Sequence, residues 1–179
     1  MKRLEFFWEK LQKGSPLKGS AQRSQDFRVP RHQTLELLAL RASGVKIRGD
    51  ESWNRICHFY DHLGEEDQNF KCPEVVRNWL KPYQFYGLQW LSSLYELRLG
   101  ALLADDMGLG KTLQTLSFFE KLRMEERLGK VMVVVPSSLV FNWSSEIQKF
   151  TPELPCEIFT GPQLEKISQK LESSSPLLL

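Results

Sequence analysis

The stretch that most constrains this chain is Ala101-Leu102-Leu103-Ala104-Asp105-Asp106-Met107-Gly108-Leu109-Gly110-Lys111-Thr112. The apolar run from Gly100 to Ala104 reads as a buried strand. A turn carrying Gly108 and Gly110 follows, and Lys111-Thr112 opens an amphipathic stretch that runs to about Leu128. Strand, glycine turn, Lys-Thr and helix, in that order, are the parts of a phosphate-binding loop. Glycines let backbone N–H groups converge on an anion, and a helix N-terminus adds partial positive charge. Lys111 then supplies a point charge for the β- and γ-phosphates of a nucleotide, and Thr112 a hydroxyl for the Mg²⁺ that rides with it. Asp106, Met107 and Leu109 complete the candidate cradle. The general pattern has a glycine where this chain has Asp105. The loop alone therefore leaves open an ordinary strand-turn-helix with a surface lysine.

The flanking chain alternates strands and helices. Val131-Met132-Val133-Val134-Val135 is β-branched and almost wholly apolar, as a strand covered on both faces would be. Ser138 to Phe150 carries Leu139, Trp143, Ile147 and Phe150 at helical spacing, and Glu157-Ile158-Phe159 reads as another strand before a polar helix to about Glu172. Leu113, Leu116, Phe119 and Leu122 face a core, with Gly129 closing their helix. This rhythm predicts an α/β fold with a parallel sheet of βαβ units. The apolar Pro-Leu-Leu-Leu that ends the sequence should head into a core.

Upstream, Met1 to Leu11 reads as a short packing helix and Gly14 to Gln25 as a flexible connection. Phe27 to Pro30 suits a strand end, Gln33 to Arg41 a helix closed by Gly44, and Val45 to Arg48 a short strand. Asp50 should cap a helix from Glu51 to Leu63 with Trp53 and Ile56 on its inner face. His58 and His62 lie one turn apart there, and solvated helix histidines explain them better than a metal. Pro82 fits the first turn of a helix running to about Arg98. Near its start Gln84 carries an amide able to meet the donor and acceptor of an adenine edge.

Net charge is +2, so nucleic-acid binding would need a local patch rather than a global basic excess. Three widely spaced cysteines, Cys57, Cys72 and Cys156, make no disulfide framework and no zinc spacing, which suits a reducing, intracellular setting. No run approaches a membrane span and the first residues have no signal-peptide core, so no membrane partner is expected.

Three separated stretches now agree with one family. Leu80-Lys81-Pro82-Tyr83-Gln84, with Gly87 and Trp90-Leu91, resembles the adenine-reading motif of the Swi/Snf-type ATPases, superfamily-two DNA translocases of chromatin remodelling and their bacterial relatives. Asp105 to Thr112 is similar to their phosphate loop, which also carries an acid at the first glycine position. Pro136-Ser137-Ser138-Leu139, with Asn142 and Trp143, resembles their next motif, which touches the DNA backbone; Glu146, Lys149, Phe150 and Pro152 continue the likeness. The resemblance covers about Leu80 to Pro162. A looser likeness of Phe27 to Leu63 to an accessory segment of bacterial members suggests a bacterial source.

The resemblance implies a partial RecA-like lobe over residues 80–179, a small mostly helical accessory segment over 27–79, and a helix and linker over 1–26. It implies that Gln84 reads adenine, that Gly108, Gly110 and Lys111 hold phosphates, that Thr112 holds Mg²⁺, and that Ser137 and Ser138 contact phosphates of duplex DNA. Hydrolysis also needs a carboxylate pair on the Mg²⁺ side and arginines from a second lobe. The chain has no aspartate after Asp106, and none of its later glutamates follows an apolar strand in an Asp-Glu pair. The expectation is an N-terminal fragment of a translocase, with no complete catalytic set, that binds ATP weakly without turnover. Its partners would be duplex DNA and a full-length homologue or the missing lobe. Two alternatives stay open: a non-enzymatic module binding nucleotide, DNA or a partner, and a small phosphate-loop kinase, for which Arg123 and Arg127 lie just after the loop.

Overall fold

The computed structural model describes residues 29–159 and the strand Leu177–Leu178. The helix expected over Met1–Leu11, the connection after it, Phe27-Arg28 and the polar helix after Gly161 lie outside these residues. The chain divides into two compact units after Leu63.

In the first unit a 3-10 turn, Arg31–Gln33, leads into α1 (Thr34–Ala42), and α2 spans Glu51–Asp61. The Asp50 side chain accepts the Trp53 N–H at 2.9 Å, the expected cap, and Trp53 and Ile56 are buried. Arg41 makes a two-pronged pair with Asp61, Nη1 to Oδ1 at 2.8 Å and Nη2 to Oδ2 at 2.6 Å. Those bonds hold the Asp61 carboxyl below its ordinary range. Val45 to Arg48, expected as a short strand, pairs with no strand among the described residues. The rings of His58 and His62 stack at 4.2 Å, and His62 Nδ1 bonds the His58 carbonyl. No group of three metal-ligating side chains occurs among the described residues.

The second unit is mostly helical. α3 (Glu74–Arg77) is a single turn with no strong periodic signal, α4 spans Pro82–Glu96, α5 Lys111–Met124 and α6 Ser137–Phe150. α5 packs on both α4 and α6. It therefore buries Leu113, Leu116 and Leu122 and also Gln114, Ser117 and Glu120. Buried polar groups need partners. Ser117 donates to the Leu113 carbonyl, and Arg123 grips the Glu120 carboxylate with Nε at 2.9 Å and Nη2 at 2.7 Å. The core centres on Leu116, Ile147 and Leu154, with Phe119, Val131, Val133 and Trp143 against it.

The sheet is smaller than the sequence suggests. Three two-residue strands, β1 (Val131–Met132), β2 (Cys156–Glu157) and β3 (Leu177–Leu178), run parallel in the order β1-β3-β2. Val131 and Cys156 both pair with Leu177, and Met132 and Glu157 with Leu178. The run Gly100–Ala104, expected as a buried strand, has no ladder among the described residues, and Leu102 is 80% exposed. Val131 to Val135 alternates rather than lying covered on both faces, with Val134 82% exposed. Leu139, read at helical spacing with Trp143, Ile147 and Phe150, is exposed as well. An apolar strand is buried only when neighbours close both faces, and the described strands are too few to do so.

Two helices end on a left-handed residue that is not glycine. Arg98 and Glu126 take left-handed backbone at φ 54° and 56°. Each closes its helix by paired bonds: Leu99 N–H to Leu94 and Arg98 N–H to Tyr95, then Arg127 N–H to Leu122 and Glu126 N–H to Arg123. This is the reciprocal pattern in which glycine is usual. α5 thus stops at Met124 and not at the expected Gly129. Left-handed backbone costs a non-glycine residue about 1–2 kcal/mol, so Glu126→Gly should stabilise the protein by up to about 1 kcal/mol after glycine's entropic cost. Leu116→Ala should lower stability by about 2–5 kcal/mol. Urea unfolding followed by tryptophan fluorescence measures both.

Candidate functional site

The site is built where α4 and α5 begin. Pro82 occupies the first turn of α4, where its missing N–H costs nothing. That turn brings Tyr83 and Gln84 onto the loop ahead of α5. The Gln84 Nε2 donates to the Leu109 carbonyl at 3.0 Å, and the Tyr83 hydroxyl donates to the same oxygen at 3.2 Å. Gln84 Oε1 also accepts the Lys81 N–H at 2.9 Å. Gln84 is buried, so one amide both closes its own helix and holds the loop.

The loop turns on two glycines in left-handed backbone, Gly108 at φ 84° and Gly110 at φ 74°. A Cβ on Gly110 would collide with the Gln84 amide, so Gly110 answers to space as well as to conformation. Gly110 is also the N-cap of α5, and no side chain caps that helix. The first N–H groups of a helix have no intrahelical acceptor, and here fourteen residues of helix dipole end at the turn.

Lys111 folds back over the loop. Its Nζ donates to the carbonyls of Asp105 at 2.8 Å and Asp106 at 2.9 Å. Asp105, the departure from the general pattern, accepts Gln114 Nε2 at 3.1 Å. Gln114 is buried, and the Gly87 position of α4 has no room for a Cβ beside the Gln114 Oε1. The loop is therefore tied to α4 through Leu109 and to the buried side of α5 through Asp105.

Thr112 lies in the first turn of α5, half-buried, with a hydroxyl that makes no hydrogen bond among the described residues. Met107 is 97% exposed at the tip of the loop. Asp106 is exposed beside it. Ser137 and Ser138 are exposed in the first turn of α6, which also has no side-chain cap. The contact network gathers Tyr83, Gln84, Asp105, Asp106, Leu109, Gly110, Lys111 and Gln114. Thr112, Ser137 and Ser138 stand outside it.

Sequence reading passed over the tie from Tyr83, the strut from Gln114 and one wall of a neighbouring recess. This cavity of about 280 Å³ is lined by Gly110, Leu113, Ser145, Glu146, Lys149 and Phe150. Lys149 Nζ stands 4.8 Å above the Phe150 ring and 5.3 Å above Trp79, and those two rings meet edge-on at 5.2 Å. Partial burial pushes the Glu146 carboxyl above its usual range, against the opposing pull of the Lys149 charge.

Replacing Gln84 by leucine should strand the Lys81 N–H and weaken the hold on Leu109. The expected cost is about 1–3 kcal/mol, with faster amide exchange across residues 105–110, read by hydrogen-exchange mass spectrometry.

Comparison with known proteins gives the same region a family. Residues 83–174 match the model of the SNF2-related domain. The ATP-dependent helicase fft1 of Schizosaccharomyces pombe is 45% identical over 91 residues, which are 51% of this chain and 10% of that protein. The ISWI chromatin-remodeling complex ATPase ISW1 of Saccharomyces cerevisiae is 42% identical over 102 residues, 56% of this chain and 9% of that one. The structure of the Sulfolobus solfataricus SWI2/SNF2 ATPase core in complex with dsDNA superposes with a TM-score of 0.54 at 37% identity, covering 63% of this chain and 23% of that chain. This chain thus spans about a tenth of the length of these curated relatives. Both are yeast proteins, so the expected bacterial source finds no support in them. No helix among the described residues is long and apolar enough to cross a membrane.

Proposed function

Because the chain belongs to the family of SNF2-related domains, we propose that it is the ATP-binding part of a DNA-dependent, helicase-like ATPase, the opening portion of a first RecA-like lobe. The observation that carries this reading is Lys111, folded over a glycine turn at an uncapped helix N-terminus. Its ammonium there has, among the described residues, only two neutral carbonyls as acceptors, and a phosphate oxygen offers a stronger charge-assisted bond. The residues fit the nucleotide. Gly108 and Gly110, with Asp106, Met107 and Leu109, form the cradle. Lys111 neutralises phosphate charge. Gln84 keeps one amide hydrogen and one oxygen lone pair beyond its two backbone bonds, and with these it reads an adenine edge. The uncommitted Thr112 hydroxyl takes Mg²⁺ with ATP, and that ion would supply further charge neutralisation.

Ser137 and Ser138, exposed at the start of α6, would meet the phosphates of duplex DNA, helped by the N–H groups of that turn. Turnover needs groups this chain lacks. There is no aspartate after Asp106 to pair with a glutamate on the Mg²⁺ side, and loss of an arginine finger alone costs roughly 10³–10⁵ in rate. Chemistry would require the rest of the motor or a full-length homologue.

Thermal melting with and without ATP–Mg²⁺ tests the binding step. The midpoint should rise with nucleotide in the parent protein and stay fixed in Lys111→Ala. ATPase assays should show no turnover above background, with or without duplex DNA. DNA-stimulated hydrolysis that vanishes in Lys111→Ala would overturn the inactive reading, and a midpoint blind to millimolar nucleotide would overturn the binding one.

A second reading is supported by Leu177–Leu178, paired on both sides as the middle strand of the sheet. It takes the chain as a self-standing, non-enzymatic module that binds nucleotide, DNA or a protein partner.

A further inference from the structure

The glycine turn carries a charge of the wrong sign. Asp105 stands where the general phosphate loop has a glycine. Its carboxylate forms no ion pair within 4 Å among the described residues. Lys111 does not neutralise it, because the Lys111 Nζ takes the Asp105 main-chain carbonyl at 2.8 Å and not the carboxylate. An acid beside an anion site repels the anion, so something else at position 105 has to offset that repulsion.

The carboxylate is held from inside the protein. Gln114 Nε2 donates to Asp105 Oδ2 at 3.1 Å. Gln114 is 1% exposed, so its amide is a fixed point and not a mobile surface group. It follows Lys111 by three positions on α5, and residues three apart share a helix face. The bond therefore joins the start of the turn to the helix that presents Lys111 and Thr112. It closes a ring from residue 105 to residue 114, and the proposed cradle from Asp106 to Thr112 lies within that ring. α4 seats the other side of Gln114. A Cβ at Gly87 would collide with the Gln114 Oε1, and a glycine inside a helix is otherwise unfavourable. Gly87, Gln114 and Asp105 thus form one line from α4 through α5 to the turn.

We infer that Gln114 is a positioning residue for the triphosphate: through Asp105 it holds the turn in its anion-gripping shape before a nucleotide arrives. The inference rests on the nucleotide-binding reading above and adds to it the group that sets phosphate affinity. A loop ordered in advance does not lose that freedom on binding. What the site needs at position 105 is an acceptor for the Gln114 amide, and the negative charge there is a cost. Removing the acid has two opposing effects, less repulsion and a loosened turn. The loosened turn dominates, because the exposed charge is screened by water and salt, whereas the bond to Gln114 is partly buried.

Calorimetric titration of the full chain with inorganic tripolyphosphate and with ATP, each with Mg²⁺, tests this. Asp105→Ala should bind both ligands roughly tenfold more weakly than the parent, the loss expected from one charge-assisted bond. Asp105→Asn keeps an acceptor without the charge and should bind at least as tightly as the parent. Gln114→Met keeps the bulk, loses the donor and should match Asp105→Ala. The double variant should be no weaker than either, since both changes remove the same bond. Melting without ligand verifies that each variant is folded at the titration temperature. Asp105 is exposed, so its two variants carry the test even where a change at buried position 114 prevents folding. A strut of purely structural worth would lower the melting midpoint and leave the tripolyphosphate affinity of folded variants alone. If Asp105→Ala binds tripolyphosphate as tightly as the parent or more so, if Asp105→Asn is as weak as Asp105→Ala, or if the two single losses multiply in the double variant, the positioning role is wrong while the loop stands. If the parent binds neither ligand, the nucleotide-binding reading fails and takes the positioning role with it.

Discussion

The carbonyl of Leu109 holds the site in shape. It accepts from both Tyr83 and Gln84, side chains that reach it only because Pro82 starts α4 where it does. Gln84 uses its other end to satisfy Lys81, so the start of one helix and the turn before the next are fixed by a single buried amide. A second amide, Gln114, braces the far side of the turn through Asp105. Neutral amides suit this work. Each offers donor and acceptor at once, and burying them costs far less than burying a charge.

This bracing explains how the glycine turn keeps its shape above a run that forms no ladder among the described residues. Gly100–Ala104 has no regular secondary structure and is largely exposed, yet the turn beyond it is closed. Its order comes from the helices beside it and not from a strand beneath it. α5 is the hub: it packs on α4 and on α6, and it keeps Glu120 buried by giving it Arg123 three residues on. Arg123, one of the two arginines that lie just after the loop and on which a kinase reading would draw, is spent on that pair.

What the sequence disclosed divides along physical lines. Local devices were legible: the Asp50 cap, the Trp53 and Ile56 face, Pro82 at a helix start, and glycines flanking Leu109. Each is decided within a few residues. Strands were legible in place but not in length: β1 and β2 lie where Val131 and Glu157 mark them, while Val133–Val135 and Gly100–Ala104 have no ladder among the described residues, because a segment becomes sheet only with neighbours to pair it. The helix end at Glu126 was missed because paired backbone bonds outweighed the left-handed cost at a residue that gives no sign of it, whereas the end of α4 beside Arg98 fell where the sequence placed it. Gln114 left no signal of any kind; its partners, Gly87 and Asp105, are brought to it by the packing of α4 on α5. Glu146 and Lys149 were visible as part of a family likeness, but their shared recess appears only once α6 lies along α5.

The run Val131–Val135 has a consequence for how the protein behaves in solution. It is uncharged, free of proline, and alternates between the core and open water, with Met132 and Val134 on the wet side. Beyond its two paired residues its amides and carbonyls are unclaimed by any other strand among the described residues. Such a segment is a template for addition of a foreign strand. Self-association should therefore climb with protein concentration and begin here, and a lysine at position 134 would act as a gatekeeper without touching the fold's interior.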